Sequence, residues 1–508
     1  MKHLVNLILL FSCCTVAISN QLTFRGIWVP SNDFATKTAA DALLDKAKRA
    51  NLNAIFPAVM MHGKAYYKTS HYRYTVAATD DFDPLDYLIK AAHKRNISVH
   101  PWFCVYYEGA MDTIVPKNPE WLTPGYGGIS TGTQYFLDPA LPEVKTYLKA
   151  VMLDVLKYDI DGFHLDYIRY CGNLYGYGEK TRALFKSECG FDPLELILFP
   201  EKLDPDRFNQ YPVYFLEDYA FNQTHYWVPN RIEPYLAFAG IRPKFIQANQ
   251  IKEIPIPSTI LITSFYPIDH KTINNISAYF KSGGNIVYIE TGRIEFADDT
   301  TGEMKLLWEN EILKKVAKIK IESFDEGAQN AHDIYTTLVA LANQNDRKFD
   351  HSSLAKMKFQ WDIWRANQVR DLVTQLHQEI KKRKPNAVIS AAVGNLETDK
   401  IVVLRDSGGW LKDDLMDAVC PMDYTESVPE LKSIIAKSKQ DAGKKWTQVY
   451  PGLALYSRVG KETKSRNPEI VAAQIKAVKT VGYSGIMFFS SNQLDEPLVK
   501  VLQKNLGQ

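Results

Sequence analysis

The stretch DGFHLDYIRY, residues 161–170, sets a histidine and an aspartate two positions apart in a strand-forming run, with an arginine just beyond. Alternate strand residues share a face, so Phe163, Leu165 and Tyr167 fall on one side and His164 and Asp166 on the other. A carboxylate taken out of water is costly unless paired, and Arg169 is placed to pair it. A carboxylate so placed is a candidate functional group. The same residues also fit a His–Asp–Arg network that only braces the strand end. SVHPWFCVY, residues 98–106, repeats the pattern: His100, Trp102 and Cys104 share a face whose polar-aromatic character suits ligand contact. A single core histidine is more often structural.

These residues need a scaffold that gathers strand ends. Short β-branched or aromatic runs read as strands at 24–30, 54–60, 98–106, 162–168, 387–393, 418–424, 447–455 and 485–492. Segments with apolar residues at spacings of three and four, such as AADALLDKAKRAN and PEIVAAQIKAVKTVG, separate them as helices. This α/β alternation predicts a closed (β/α)8 TIM barrel, whose chemistry sits at the C-terminal strand ends. Asp166 lies at such an end. Arg25 shares a face with Ile27 and Val29 and is expected to pair with an interior acid. Asp423 and Tyr424 close the sixth strand, and Glu397 lies in the loop after the fifth.

About 190 residues separate the fourth strand from its helix, so that connection must hold its own structure. The runs STILITSF, TINNISAYFKSGG and NIVYIET form a β-α-β unit, followed by a further helix and strand in MKLLWENEILKKVAKIKIES. The expected organisation is a signal peptide at 1–19, the first part of the barrel at 22–221, a small inserted α/β domain at 235–345, and the second part of the barrel at 350–508.

Of the 508 residues, 46% are hydrophobic and 12% aromatic, enough for a large core, and the net charge of +2 gives no basic face for nucleic acid. The 9 Trp and 28 Tyr suit stacking against sugar rings, although any single one is more often core. Lys2 and His3 before LVNLILLF read as an export signal with cleavage near Ser19, too short to be a transmembrane segment. Cys13 and Cys14 leave a lipid anchor as the alternative to simple secretion. Cys104 and Cys420 read as buried thiols, while Cys171 and Cys189 could pair in an oxidising compartment. No Cys-x-x-Cys or His-x-x-x-His spacing supports a zinc site, and no cofactor is called for.

The stretches FRGIWV, FDPLDYLIKAAHKRNISVHPWF, NPEWL, YFLDPALPEVKTYL and YDIDGFHLDYIRY resemble the bacterial glycoside-hydrolase-like 10 group across residues 24–170. The segment DGFHLD is also similar to the fourth-strand motif of α-amylase-type glycosidases. That resemblance implies a carbohydrate-active barrel, often exported, with Asp166 as nucleophile and His164 in place of the amylase arginine. It also matches Glu397 to the acid-bearing strand of amylase-type enzymes, beside Asp423 as the other candidate acid. His100, Trp102, His164, Arg169 and Tyr424 would then orient and stack the sugar. The sequence departs from the group at Met60, at the loop Gly63-Lys64-Ala65-Tyr66-Tyr67, and at Pro421-Met422-Asp423-Tyr424, where a different substrate or weakened catalysis would follow. Two other readings stay open: a non-catalytic glycan-binding barrel, and a metal-assisted hydrolase or deacetylase using His100, His164 and Asp166. Oligomeric state is not legible.

Overall fold

A computed structural model describes residues 22–71, 79, 81–109, 117–125, 135–173, 175–195, 213–216, 244–256, 258–263, 270–291, 317–321, 352–459 and 462–507. The expected signal segment, with Cys13 and Cys14, lies outside these residues, as does the helix expected just before Ala317.

Eight parallel strands form the barrel: β1 Phe24–Val29, β2 Ala54–Met61, β3 Trp102–Cys104, β4 Gly162–Asp166, β5 Val388–Val393, β6 Ala418–Pro421, β7 Gly452–Ala454 and β8 Gly485–Phe489. Each pairs with its chain neighbour except β6 with β7, and β8 returns to β1 through Arg25 opposite Ile486. Between β6 and β7 the ring is closed by bridges rather than a strand ladder: Tyr450 N–H donates to the Val419 carbonyl and Asp423 N–H to the Gly452 carbonyl, both at 2.9 Å. The third strand is broken at Pro101, which has no N–H to give, and its first half, Ser98–Val99, pairs separately with β2.

The helices start where sequence chemistry favours it. In α1 (Lys37–Arg49) Thr36 caps Ala39 N–H. In α2 (Pro84–His93), α6 (Val428–Ala442), α7 (Pro468–Val481) and α8 (Glu496–Leu506), Asp83, Ser427, Asn467 and Asp495 cap the first turn, with a proline in that turn. α3 (Pro142–Leu153) precedes β4, the long α4 (Ser352–Arg383) precedes β5, and the short α5 (Ser407–Lys412) follows it. Outward residues Ile27, Val29, Phe103, Phe163, Leu165, Ile389, Val419, Ile486 and Phe488 join the helices in one large core. Inward residues Trp28, Phe56, Trp102, Cys104, Ala392, Cys420 and Met487 fill the barrel itself.

A second parallel sheet stands in the insertion. Its strands run, across the sheet, 317–321, 285–291, 259–263, 213–216 and 244–246, a doubly wound order of 2-1-3-4-5 in chain terms. Val213–Leu216 belongs to it, so the insertion starts before the expected residue 235. Arg25 also departs from expectation. It is half-buried, and its guanidinium donates to the carbonyls of Leu22 and Asn51 at 2.6 Å and of Thr23 at 3.3 Å, closing the barrel floor instead of meeting an interior acid. Cys104 and Cys420 are buried thiols, and no disulfide joins Cys171 to Cys189.

Candidate active site

Asp166 is the last residue of β4 and points into the barrel at its C-terminal face. Its Oδ2 accepts the Trp102 indole N–H at 3.1 Å, and its Oδ1 accepts the Tyr167 backbone N–H at 2.7 Å. That second bond is made possible by a left-handed Tyr167 at φ 48°, a costly conformation for a tyrosine and one that gathers at functional sites. Burial pushes the Asp166 carboxyl up; the Tyr167 N–H, the charges of Arg405 and Arg169, and the Trp102 N–H pull it back toward the anion.

Around it stands an aromatic rim. Tyr424 stacks on Phe489 with centroids 5.4 Å apart, Tyr456 meets Phe489 edge-on at 6.2 Å, and Phe489 meets Trp102 edge-on at 6.4 Å. On the other flank Tyr107 stacks on Tyr167 at 4.8 Å, and the Arg169 guanidinium lies 5.1 Å from the Tyr167 ring centre. Arg466, 2% exposed, locks part of this rim: Nε donates to the Tyr456 carbonyl at 3.0 Å and Nη1 to the Thr425 carbonyl at 2.8 Å. Gln474 adds a third bond, to the same Thr425 carbonyl, at 2.8 Å.

The two histidines sit below this rim, not on it. His164 is fully buried, takes the Trp28 indole N–H on Nε2 at 2.9 Å and donates from Nδ1 to Ser390 Oγ at 2.8 Å. Both ring nitrogens are thus engaged by protein, leaving none for a sugar hydroxyl or a metal ion. His100 lies lower still, stacked on Phe56 at 4.6 Å and bonded through Nε2 to Ser98 Oγ at 3.0 Å. Its Nδ1 has no hydrogen-bond partner among the described residues and faces Gly162, where a Cβ would come within 1.8 Å. Burial holds the His100 ring down at about 4 and the His164 ring well below its ordinary value, so both are neutral. The substrate-binding role expected of His100 and His164 is corrected accordingly: they are core residues supporting β4. Among the described residues no group of three metal-ligating side chains occurs.

The candidate acids fall elsewhere. Glu397 is on the surface, paired with Lys400 at 3.1 Å. Asp423 is buried, and burial alone lifts its carboxyl from 3.8 to about 8. Its Oδ2 has no partner among the described residues. Both Asp423 and Tyr424 lie beyond the end of β6, and the Asp166 charge bears on Tyr424. The Asp423 charge bears on Tyr483, whose hydroxyl donates to the Ile435 carbonyl of α6 at 2.7 Å, on the helix side of the strands. The charges of Arg405 and Arg169 bear on Asp166. Arg405 and the stacked Tyr107–Tyr167 pair were missed from sequence.

The carboxylate and its aromatic rim lie at the C-terminal face of a (β/α)8 barrel, where enzymes of this fold carry their active sites. The glycosyl hydrolase-like 10 family model matches residues 23–205 and 317–469, and the chain belongs to that family. The match leaves out 206–316, where four of the five strands of the second sheet lie. Glycosyl hydrolase YngK of Bacillus subtilis is 29% identical over 140 residues, covering 24% of this chain and 26% of its own. Glycosyl hydrolase DigH of Escherichia coli K12 is 23% identical over 147 residues, covering 24% of this chain and 32% of its own. These alignments therefore span about a quarter to a third of those relatives' length. The glycoside hydrolase domain of PgaB (BpsB) from Bordetella bronchiseptica superposes with a TM-score of 0.53 over 95% of this chain and 98% of its own, at 11% identity, a likeness of fold.

Proposed function

We propose that this protein is an exported glycoside hydrolase that cleaves a poly- or oligosaccharide at the C-terminal face of its barrel, with Asp166 as nucleophile or general base. The observation that carries the reading is the Asp166 carboxylate itself, ending β4 under an aromatic rim and held by Trp102 and Tyr167. Trp102, Arg169 and Tyr424 are the sugar-contacting residues of this reading. Asp423 is preferred over Glu397 as the general acid, because Glu397 is held on the surface by Lys400 while Asp423 adjoins Tyr424 of the rim. To serve, its side chain must turn from the helix layer to the mouth. Export rests on residues 1–19, whose basic start and apolar run suit a signal, with a lipid anchor at Cys13 or Cys14 as the variant form.

A second reading, a barrel that binds glycans without cutting them, is favoured by one observation. Of the two candidate acids, Glu397 is on the surface in a pair with Lys400, and Asp423 is buried with no partner for its Oδ2 among the described residues. The two readings part on one experiment: incubate the protein and its Asp166→Asn variant with a panel of polysaccharides and oligosaccharides, and read new reducing ends. Hydrolysis expects new ends on at least one glycan with the parent protein and none with the variant. Binding to a glycan without new ends from the parent protein overturns the hydrolase.

A further inference from the structure

The loop after β5 carries a buried ion pair beside the candidate nucleophile. Arg405 is 2% exposed. Its Nε donates to Asp399 Oδ2 at 2.9 Å, its Nη2 donates to the same oxygen, and its Nη1 donates to the Ala392 carbonyl at 2.8 Å. Asp399 Oδ2 is itself fixed by the Gly394 N–H at 2.8 Å. Ala391 pairs with Leu165 across β5 and β4, so Ala392 stands one step up, level with Asp166 on the adjoining strand. The loop beyond Asp166 is joined to the same segment, because Tyr170 N–H donates to the Val403 carbonyl at 3.1 Å, two residues before Arg405.

We propose that Arg405 is a positioning residue for Asp166: clamped by Asp399 and the Ala392 carbonyl, its fixed guanidinium favours the charged form of the neighbouring carboxyl, against its burial, without bonding to it. The catalytic meaning of this clamp rests on the hydrolase reading. Among the described residues, the titratable and charged groups coupled to Asp166 include Cys104 from β3, Tyr167 and Arg169 from its own loop, Arg405 from the β5 loop and Tyr424 from beyond β6. Only the two arginines are cations, and Arg405 acts on Asp166 more strongly than Arg169. Charge that is pinned in a low-dielectric interior acts through space with little loss to water. Sequence alone gave no sign of this, since the clamp depends on strand register.

The test follows the Asp166 carboxyl carbon by NMR in protein labelled with 13C-aspartate, assigned by its loss in Asp166→Asn. In the paired variant Arg405→Gln/Asp399→Asn the titration midpoint rises by about one pH unit, the low end for losing a nearby opposite charge. In Asp399→Asn alone, Arg405 loses its counter-charge and the midpoint falls. A midpoint within about 0.2 unit of the parent in whichever of the two variants folds overturns the proposal. Because this readout needs no turnover, it is separable from the function. A protein that shows both shifts but cuts no glycan keeps the clamp and loses the hydrolase; an active protein whose midpoint ignores both variants does the reverse.

Discussion

Trp102→Phe is the mildest way to disturb Asp166, because it deletes one hydrogen bond and keeps the aromatic body. A bond to a charged group is worth about 1.5–3 kcal/mol, so if that bond matters most in the transition state kcat falls roughly 10- to 100-fold with KM little changed. Steady-state kinetics on a cleaved oligosaccharide checks this. Asp166 itself was legible, because alternation and a strand end are both written in DGFHLDYIRY. The depth of its neighbours was not. Alternation tells which face a side chain takes but not which layer, and so His100 and His164 were expected at the rim when they fill the floor. Arg405 was illegible for a related reason: its partners Asp399 and Ala392 are near in sequence, but its nearness to Asp166 comes from pairing with β4.

Elements carry the rim. Arg466 and Gln474 tie the chain beyond β6 to the chain beyond β7 at the carbonyls next to the stacking tyrosines. Arg466→Met takes a donor from the half-buried Tyr456 carbonyl and leaves the Thr425 carbonyl to Gln474, at a cost of about 1–3 kcal/mol at most. The expected outcome is a lower urea midpoint and a raised KM for oligosaccharide, measured on the same preparation. Gly162→Ala tests the floor. A methyl there meets the His100 ring, and overpacking of this kind costs about 1–3 kcal/mol. Urea unfolding that leaves this variant as stable as the parent contradicts the packing described. All eight barrel strands were legible from their runs and polar borders. The interruption at Pro101 and the closure of β6 on β7 by bridges were not, because both depend on how neighbouring strands meet. Val213–Leu216 was missed because four residues without alternation resemble a loop.

At the scale of the molecule, buried titratable groups give the fold a pH profile. His100 is depressed from 6.5 to about 4, so its contribution is present above 6.5 and lost as pH falls through 4. Asp423 is raised from 3.8 to about 8, so its contribution is present below 3.8 and lost as pH rises through 8. Between 4 and 6.5 the two oppose each other. Above 6.5 Asp423 acts without that opposition, and urea stability declines toward pH 8.5. Asp423→Asn removes that decline; a variant that keeps it contradicts the buried, unpartnered carboxyl. The central claim is that Asp166 does chemistry at the mouth, and kcat and Kd measured together for parent and Asp166→Asn on one cleaved oligosaccharide test it most directly. The account predicts a kcat loss of at least about 10²–10⁴-fold with Kd held within about threefold; an Asp166→Asn variant that turns over at the parent rate would contradict it.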